Sequence, residues 1–233
     1  MSKFLLLLLI LVFVATARAD GIVSFITVFL DSTGRYSFTY PAALPSKNAL
    51  AELQKNFIKQ KFGEKYLGQG PAAALNLYKD QNEELEYLSD AVSFPLPGIV
   101  QFVTSYYEQH NGVYGINGFN GSNTGIYTIS DGKKIELASI FEKNWEKEVI
   151  KLIIKEFLFS QNLHSLADYD YTQKENDFFP VNAKISEYGG LDFVYPAYKI
   201  APSSAGEQTI FLSWSSLQPY LNKKSVIYQR IKF

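Results

Sequence analysis

The sequence predicts an α+β fold: antiparallel sheets with two or three amphipathic helices packed on them in a two-layer arrangement. Three observations carry this expectation. Strand-like and helix-like segments come in unlike blocks and not in β-α-β alternation, which favours antiparallel sheets. Short apolar-alternating runs are separated by turn signals such as Asp131-Gly132 and Gly189-Gly190. Two longer windows instead repeat their apolar residues at steps of three and four, the helical period.

The elements follow in chain order. Residues 22–30 read as a strand, 31–34 as a turn and 36–40 as a second strand that Pro41 ends. From Ser46 the period changes: Leu50, Leu53, Phe57, Ile58 and Phe62 fall on one helical face, and Gly63 stops the run. Pro71 suits the first turn of another helix, predicted through Leu88. After the break at 95–98, residues 99–108 read as a strand, and 126–130 with 133–137 as a hairpin about a type I′ Asp-Gly turn. A long helix is predicted over 139–159, with Phe141, Trp145, Val149, Leu152, Ile153 and Phe157 as its core stripe. Residues 178–188 and 191–195 read as a hairpin, 209–213 as a strand, and Ser215 or Ser216 as the cap of a short helical turn. Residues 226–233 read as a closing strand.

The N-terminus reads as an export signal: Lys3, an apolar run over 4–16, then Ala17-Arg18-Ala19 as a cleavage site. That run is shorter than the roughly 20 residues a membrane-spanning helix needs, and no later segment is long and apolar enough. The expected organisation is a signal peptide over 1–19 and subdomains over 20–95 and 96–233, the boundary set by two prolines near Val92 to Gly98. The expected location is periplasmic or secreted. Cysteine is absent, which removes disulfides, thiol catalysis and thiolate metal sites. The formal charge of −1, more negative once Lys3 and Arg18 are removed, leaves no basic stripe for phosphate, so nucleic acid is not an expected partner.

The motifs propose little chemistry. Gly112, Gly115, Gly118, Gly121 and Gly125 are not followed by a helix that could present its N-terminus to a pyrophosphate, so a wide strand connection is the better reading. Gly121-Ser122-Asn123-Thr124-Gly125 does not centre its serine as a nucleophile elbow does. Asn120-Gly121-Ser122 matches a glycosylation sequon. His110 and His164 lack metal spacing. Asp168, Asp170, Glu175 and Asp177 could offer oxygen ligands, but without a calcium-loop pattern they read as a solvated acidic loop. No cofactor or metal is implied. A carboxylate pair for glycoside hydrolysis would depend on spatial separation alone. The high aromatic share, 16 Tyr, 18 Phe and 2 Trp, suits half-buried sheet positions and also stacking on a ligand.

The chain resembles the tandem extracellular domain of the anti-sigma factor RsiV and of the accessory region of the peptidoglycan deacetylase PdaC. Phe38-Thr39-Tyr40-Pro41 with the following helix is similar to the start of that pair. Tyr106-Tyr107, the run Asn111-Gly112-Val113-Tyr114-Gly115, Asp131-Gly132-Lys133 and Ile140-Phe141 are similar to its middle. Leu191-Asp192-Phe193, Tyr198-Lys199-Ile200-Ala201-Pro202 and Ala205-Gly206 resemble its most specific block. Tyr114 stands where the family commonly has histidine, which weakens an enzymatic reading. The resemblance implies a freestanding exported binding module whose ligand is a peptidoglycan fragment or a lysozyme-like protein. Tyr114, Tyr195 and Tyr198 are its expected stacking residues, with Pro196 and Pro202 stiffening the loop. The competing expectations are an envelope-polymer hydrolase and a structural or outer-membrane-associated envelope protein; the alternation of Ile227, Ile231 and Phe233 superficially suits the last.

Overall fold

The computed structural model describes residues 11–13, 23–30, 35–82, 85–108, 119–171 and 174–231. Its class is α+β, with antiparallel sheets and helices in separate blocks. The chain separates into two compact units, residues 1–118 with 125–134, and residues 119–124 with 135–233. Among the described residues the strands form three three-stranded sheets, each of strands consecutive in sequence.

In the first unit, Leu11–Phe13 (β1), Ser24–Phe29 (β2) and Ser37–Ala43 (β3) make one sheet. The β1 main chain lies antiparallel to β2 within the apolar run read as an export signal. Cleavage after Ala19 would therefore leave β2 as an edge. Pro41 does not end β3. It sits inside that strand, tolerated because β3 is the outer strand of its sheet, and its carbonyl accepts from Gln54 Nε2 at 2.8 Å.

Helix Lys47–Phe62 (α1) follows, with the Ser46 hydroxyl capping the Ala49 N–H and Gly63 closing it at φ 100°. Its buried face, Ala49, Leu53, Phe57, Ile58 and Phe62, is a helical stripe that joins Phe25, Val28 and Phe38 in the core. Pro71–Gln81 (α2) is shorter than predicted. Residues 85–93, expected in part as helix, form strand β4 (Leu85–Ser93), because they pair along their length with Ile99–Glu108 (β5). The Pro95 to Gly98 punctuation is thus the turn between two paired strands of the first unit.

Strand β6 (Phe119–Thr128) starts in the second unit and ends in the first. The turn after it forms, with Thr128 N–H bonded to Lys133 O and Gly132 N–H to Thr128 O, both at 3.0 Å. It is not type I′, since Gly132 alone has positive φ, at 70°. The return arm is a single bridge, Tyr127 to Lys134, in place of a strand. Thr128 also donates its hydroxyl to the Asp131 carboxylate, and that bond above all holds Asp131 below the usual carboxylate range.

The predicted long helix is two elements, Leu137–Ile140 (α3) and Glu146–Ser160 (α4). The break is built in: Phe141 bridges Leu221, Glu142 N–H bonds to Tyr220 O at 2.9 Å, and Asn144 takes a left-handed φ of 61°. Phe141, Trp145, Val149, Ile153 and Phe157 are buried as expected, whereas Leu152 is half-buried. They pack in the second unit with sheet Asn182–Ser186 (β7), Gly190–Tyr195 (β8) and Gln208–Ser213 (β9). Ser213, and not Ser215 or Ser216, caps Trp214–Leu217 (α5), accepting from Ser216 N–H at 3.2 Å. The predicted closing strand is absent through residue 231. Ser225 starts a helical turn there, its hydroxyl accepting from Tyr228 N–H at 3.1 Å, and Ile227 is fully buried. Phe233 lies outside the described residues, and Ile227 stands at the start of a helical turn and not in a strand.

Candidate functional site

The segment between β8 and β9 has alternate residues anchored and presented. Ala197, Ile200 and Ala201 are buried, Tyr198 and Pro202 are exposed, and Pro196 is half-buried. Pro196 opens a four-residue turn closed by the Lys199 N–H on the Pro196 carbonyl at 3.1 Å. Tyr198 occupies its third position with φ 68°. Positive φ there is the type II pattern, which favours glycine or asparagine; a tyrosine in it costs roughly 1–3 kcal/mol of backbone strain. The conformation is pinned from outside the loop, since the Tyr171 hydroxyl donates to the Tyr198 carbonyl at 2.7 Å. Tyr198 is left 40% exposed, with Tyr171 beside it exposed to the same extent.

The far end of the loop is also fixed. Ala205 N–H bonds to Pro202 O at 2.9 Å, and the Gln208 side-chain amide donates to Ala205 O at 2.7 Å. Glu207, next after Gly206, accepts from the Ser122 hydroxyl at 2.7 and 2.9 Å on its two oxygens. Asn182 holds the same strand start through Ser122 O at 2.9 Å and Thr124 N–H at 3.2 Å. Ser122 lies near the start of β6, so within the second unit the loop after Tyr198 meets the beginning of that strand.

The expected site residues therefore separate. Tyr198 and Pro202 lie on an exposed, braced surface, with Pro196 at its base. Tyr195 does not share it. That side chain is fully buried, its hydroxyl donates to Phe178 O at 2.7 Å, and its ring lies edge-on to Phe178. Burial pushes the Tyr195 hydroxyl far above its ordinary range. The cause is strand alternation: Leu191, Phe193 and Tyr195 share the core face of β8. Tyr114, with His110 and Gly112 to Gly118, lies outside the described residues.

Three acidic side chains of the second unit hold structure. Asp168 closes a capping box with Ser165, Asp192 faces Lys184 at 3.8 Å, and Glu207 serves Ser122. Among the described residues no group of three or more His, Asp or Glu side chains is placed to hold a metal ion. Tyr171 and the Ser122–Glu207 pair were not anticipated. The only sequence signal was position: Ser122 follows Gly121 and Glu207 follows Gly206.

Two solved structures share this architecture. A DUF3298 family member from Bacteroides fragilis superposes with a TM-score of 0.64 at 16% identity, over 97% of this chain and 98% of that one. A DUF3298 family protein from Pseudomonas aeruginosa PAO1 does so with a TM-score of 0.58 at 20% identity, over 80% and 83%. The likeness is one of fold. No family model matches the sequence, and no curated protein matches it.

Proposed function

We propose that the chain is an exported, non-catalytic binding module of the RsiV and PdaC type, whose ligand is a cell-envelope glycan or a glycan-active protein such as lysozyme. DUF3298 is the domain type of RsiV- and PdaC-like proteins, so the two structural neighbours support the family part of this reading. The observation that carries the binding part is Tyr198: a large aromatic ring, exposed, held in a backbone conformation that glycine would adopt without strain. Bracing by Tyr171, the turn at Pro196 and the Ser122–Glu207 bond lowers the entropy lost when a partner orders the loop. An exposed ring of this kind stacks on a pyranose face or fills a protein pocket.

The test is retention of the purified protein on insoluble peptidoglycan and on immobilised lysozyme. Retention on at least one is expected, with Tyr198→Ala reduced about tenfold or more. Failure of the parent on both supports rejects the ligand class. Equal retention of Tyr198→Ala rejects the assignment to this loop, and release of soluble saccharide from the peptidoglycan favours a hydrolase.

A further inference from the structure

The sheet of β1, β2 and β3 has one guarded side and one unguarded side. On the guarded side β3 carries Pro41, and its Thr39 N–H is taken by Asp90 Oδ2 at 2.8 Å. β2 has no such protection: Ser24-Phe25-Ile26-Thr27-Val28-Phe29 holds no charge, proline or glycine, and residues 21–23 and 30 add no charge. Its free side is covered by β1, whose Leu11, Val12 and Phe13 lie antiparallel opposite Thr27, Ile26 and Phe25. That cover belongs to the segment expected to leave at Ala19. Its removal opens an apolar edge of β-branched and aromatic residues, the kind that templates a further strand.

We infer that once the signal is removed a second copy of this chain takes the place of β1, pairing β2 with β2 antiparallel about a two-fold axis at Thr27. Along a strand edge the outward main-chain groups recur at every second residue, and both members of an antiparallel pair must point the same way. A strand pairing with itself therefore centres on a residue and not between two. Centring on Thr27 sets Thr27 opposite itself, Ile26 opposite Val28 and Phe25 opposite Phe29. Val28 and Phe29 of the second copy then stand where Val12 and Phe13 stand now, the same two side chains against the same Ile26 and Phe25. Centring on Ile26 would instead put a threonine where Phe13 lies. The edge thus selects a strand that the chain itself supplies. The inference rests on the export part of the proposed function and not on its ligand.

The full chain, expressed in a bacterium and recovered after export, should by intact mass begin at Asp20 and should sediment as a dimer. Thr27→Lys places like charges opposite each other at the axis and should weaken dimerisation about tenfold or more. Because the chain has no cysteine, single cysteines read the register directly. Side chains directly opposite stand about 5 Å apart and diagonal ones about 7–8 Å apart, the latter beyond a disulfide's reach. Under mild oxidation Thr27→Cys should therefore link into a covalent dimer and Ile26→Cys should not. Linking at 26 in place of 27, equal linking at both, or a dimer indifferent to Thr27→Lys would overturn the inference. A monomer that begins at Asp20 would overturn it and leave the proposed function standing, and uptake by that monomer of a soluble peptide carrying residues 10–14 would replace the second copy with a foreign strand. A recovered chain that keeps residues 1–19 would overturn the inference together with the cleavage it rests on.

Discussion

Tyr195 and Tyr198 stand three residues apart and answer to different physics. Tyr195 is a core side chain whose hydroxyl satisfies the Phe178 carbonyl. Tyr195→Phe should cost about 1–2 kcal/mol at neutral pH by leaving that carbonyl unpaired. Its ionisation adds a pH signature. The folded-state pKa lies above the ordinary 10.0, so the unfolded chain releases this proton first. The stabilisation is complete below pH 10 and declines as pH rises above it. Urea denaturation at pH 7 and pH 11 should show a shallower alkaline loss for Tyr195→Phe than for the parent. Lys61 and Asp90 are a second buried pair, 4% and 0% exposed at their side chains. Asp90 also accepts from Thr104 Oγ1 and Thr39 N–H, both at 2.8 Å, while the Lys61 ammonium lies over the Phe38, Phe57 and Phe62 rings. Burial pulls the Lys61 pKa down more than Asp90 raises it. Asp90→Ala should therefore destabilise by about 3–5 kcal/mol, since it strands a buried ammonium, and Lys61→Met with Asp90→Leu should recover most of the loss.

At the scale of elements, Gly132 shows how one backbone position joins two of them. A Cβ there would sit 2.2 Å from the Ala49 carbonyl oxygen and 2.6 Å from Leu53 N on α1, and φ is already positive. Asn56 adds a bond from its side-chain amide to Gly132 O at 3.2 Å. Gly132→Ala should cost about 3 kcal/mol or more, read as a lower melting temperature, because the clash is with helix backbone that cannot rotate away. Asp131-Gly132 announced this turn in the sequence, but the approach to α1 was invisible, being a contact with a segment some eighty residues earlier. The same division holds elsewhere. α1 was legible from end to end because cap, apolar stripe and terminal glycine agree locally. The ends of α2 and α4 were not, because pairing with β5 and with the segment around Leu221 overrides helical periodicity in residues 85–93 and near Phe141. The last turn was misread since period-two apolar residues also suit a buried Ile227 followed by a helical turn.

At the scale of the molecule, the α+β class with its antiparallel sheets was legible, and the fold is shared with DUF3298 proteins at identities where sequence says little. The candidate site was legible in part. The segment from Pro196 to Gly206 was marked by its own prolines, glycine and aromatic residue, but its bracing comes from Tyr171, Asn182 and Ser122, which reach it only through the fold. The strain at Tyr198 was also unreadable, because a tyrosine carries no sequence mark of positive φ. That strain supplies the sharpest test of the proposed function. In a calorimetric titration with peptidoglycan fragments and with lysozyme, the parent should bind at least one, whereas Tyr198→Gly should melt at or above the parent's temperature and bind about tenfold or more weakly. A Tyr198→Gly protein that binds as tightly as the parent, or a parent that binds neither, would contradict it.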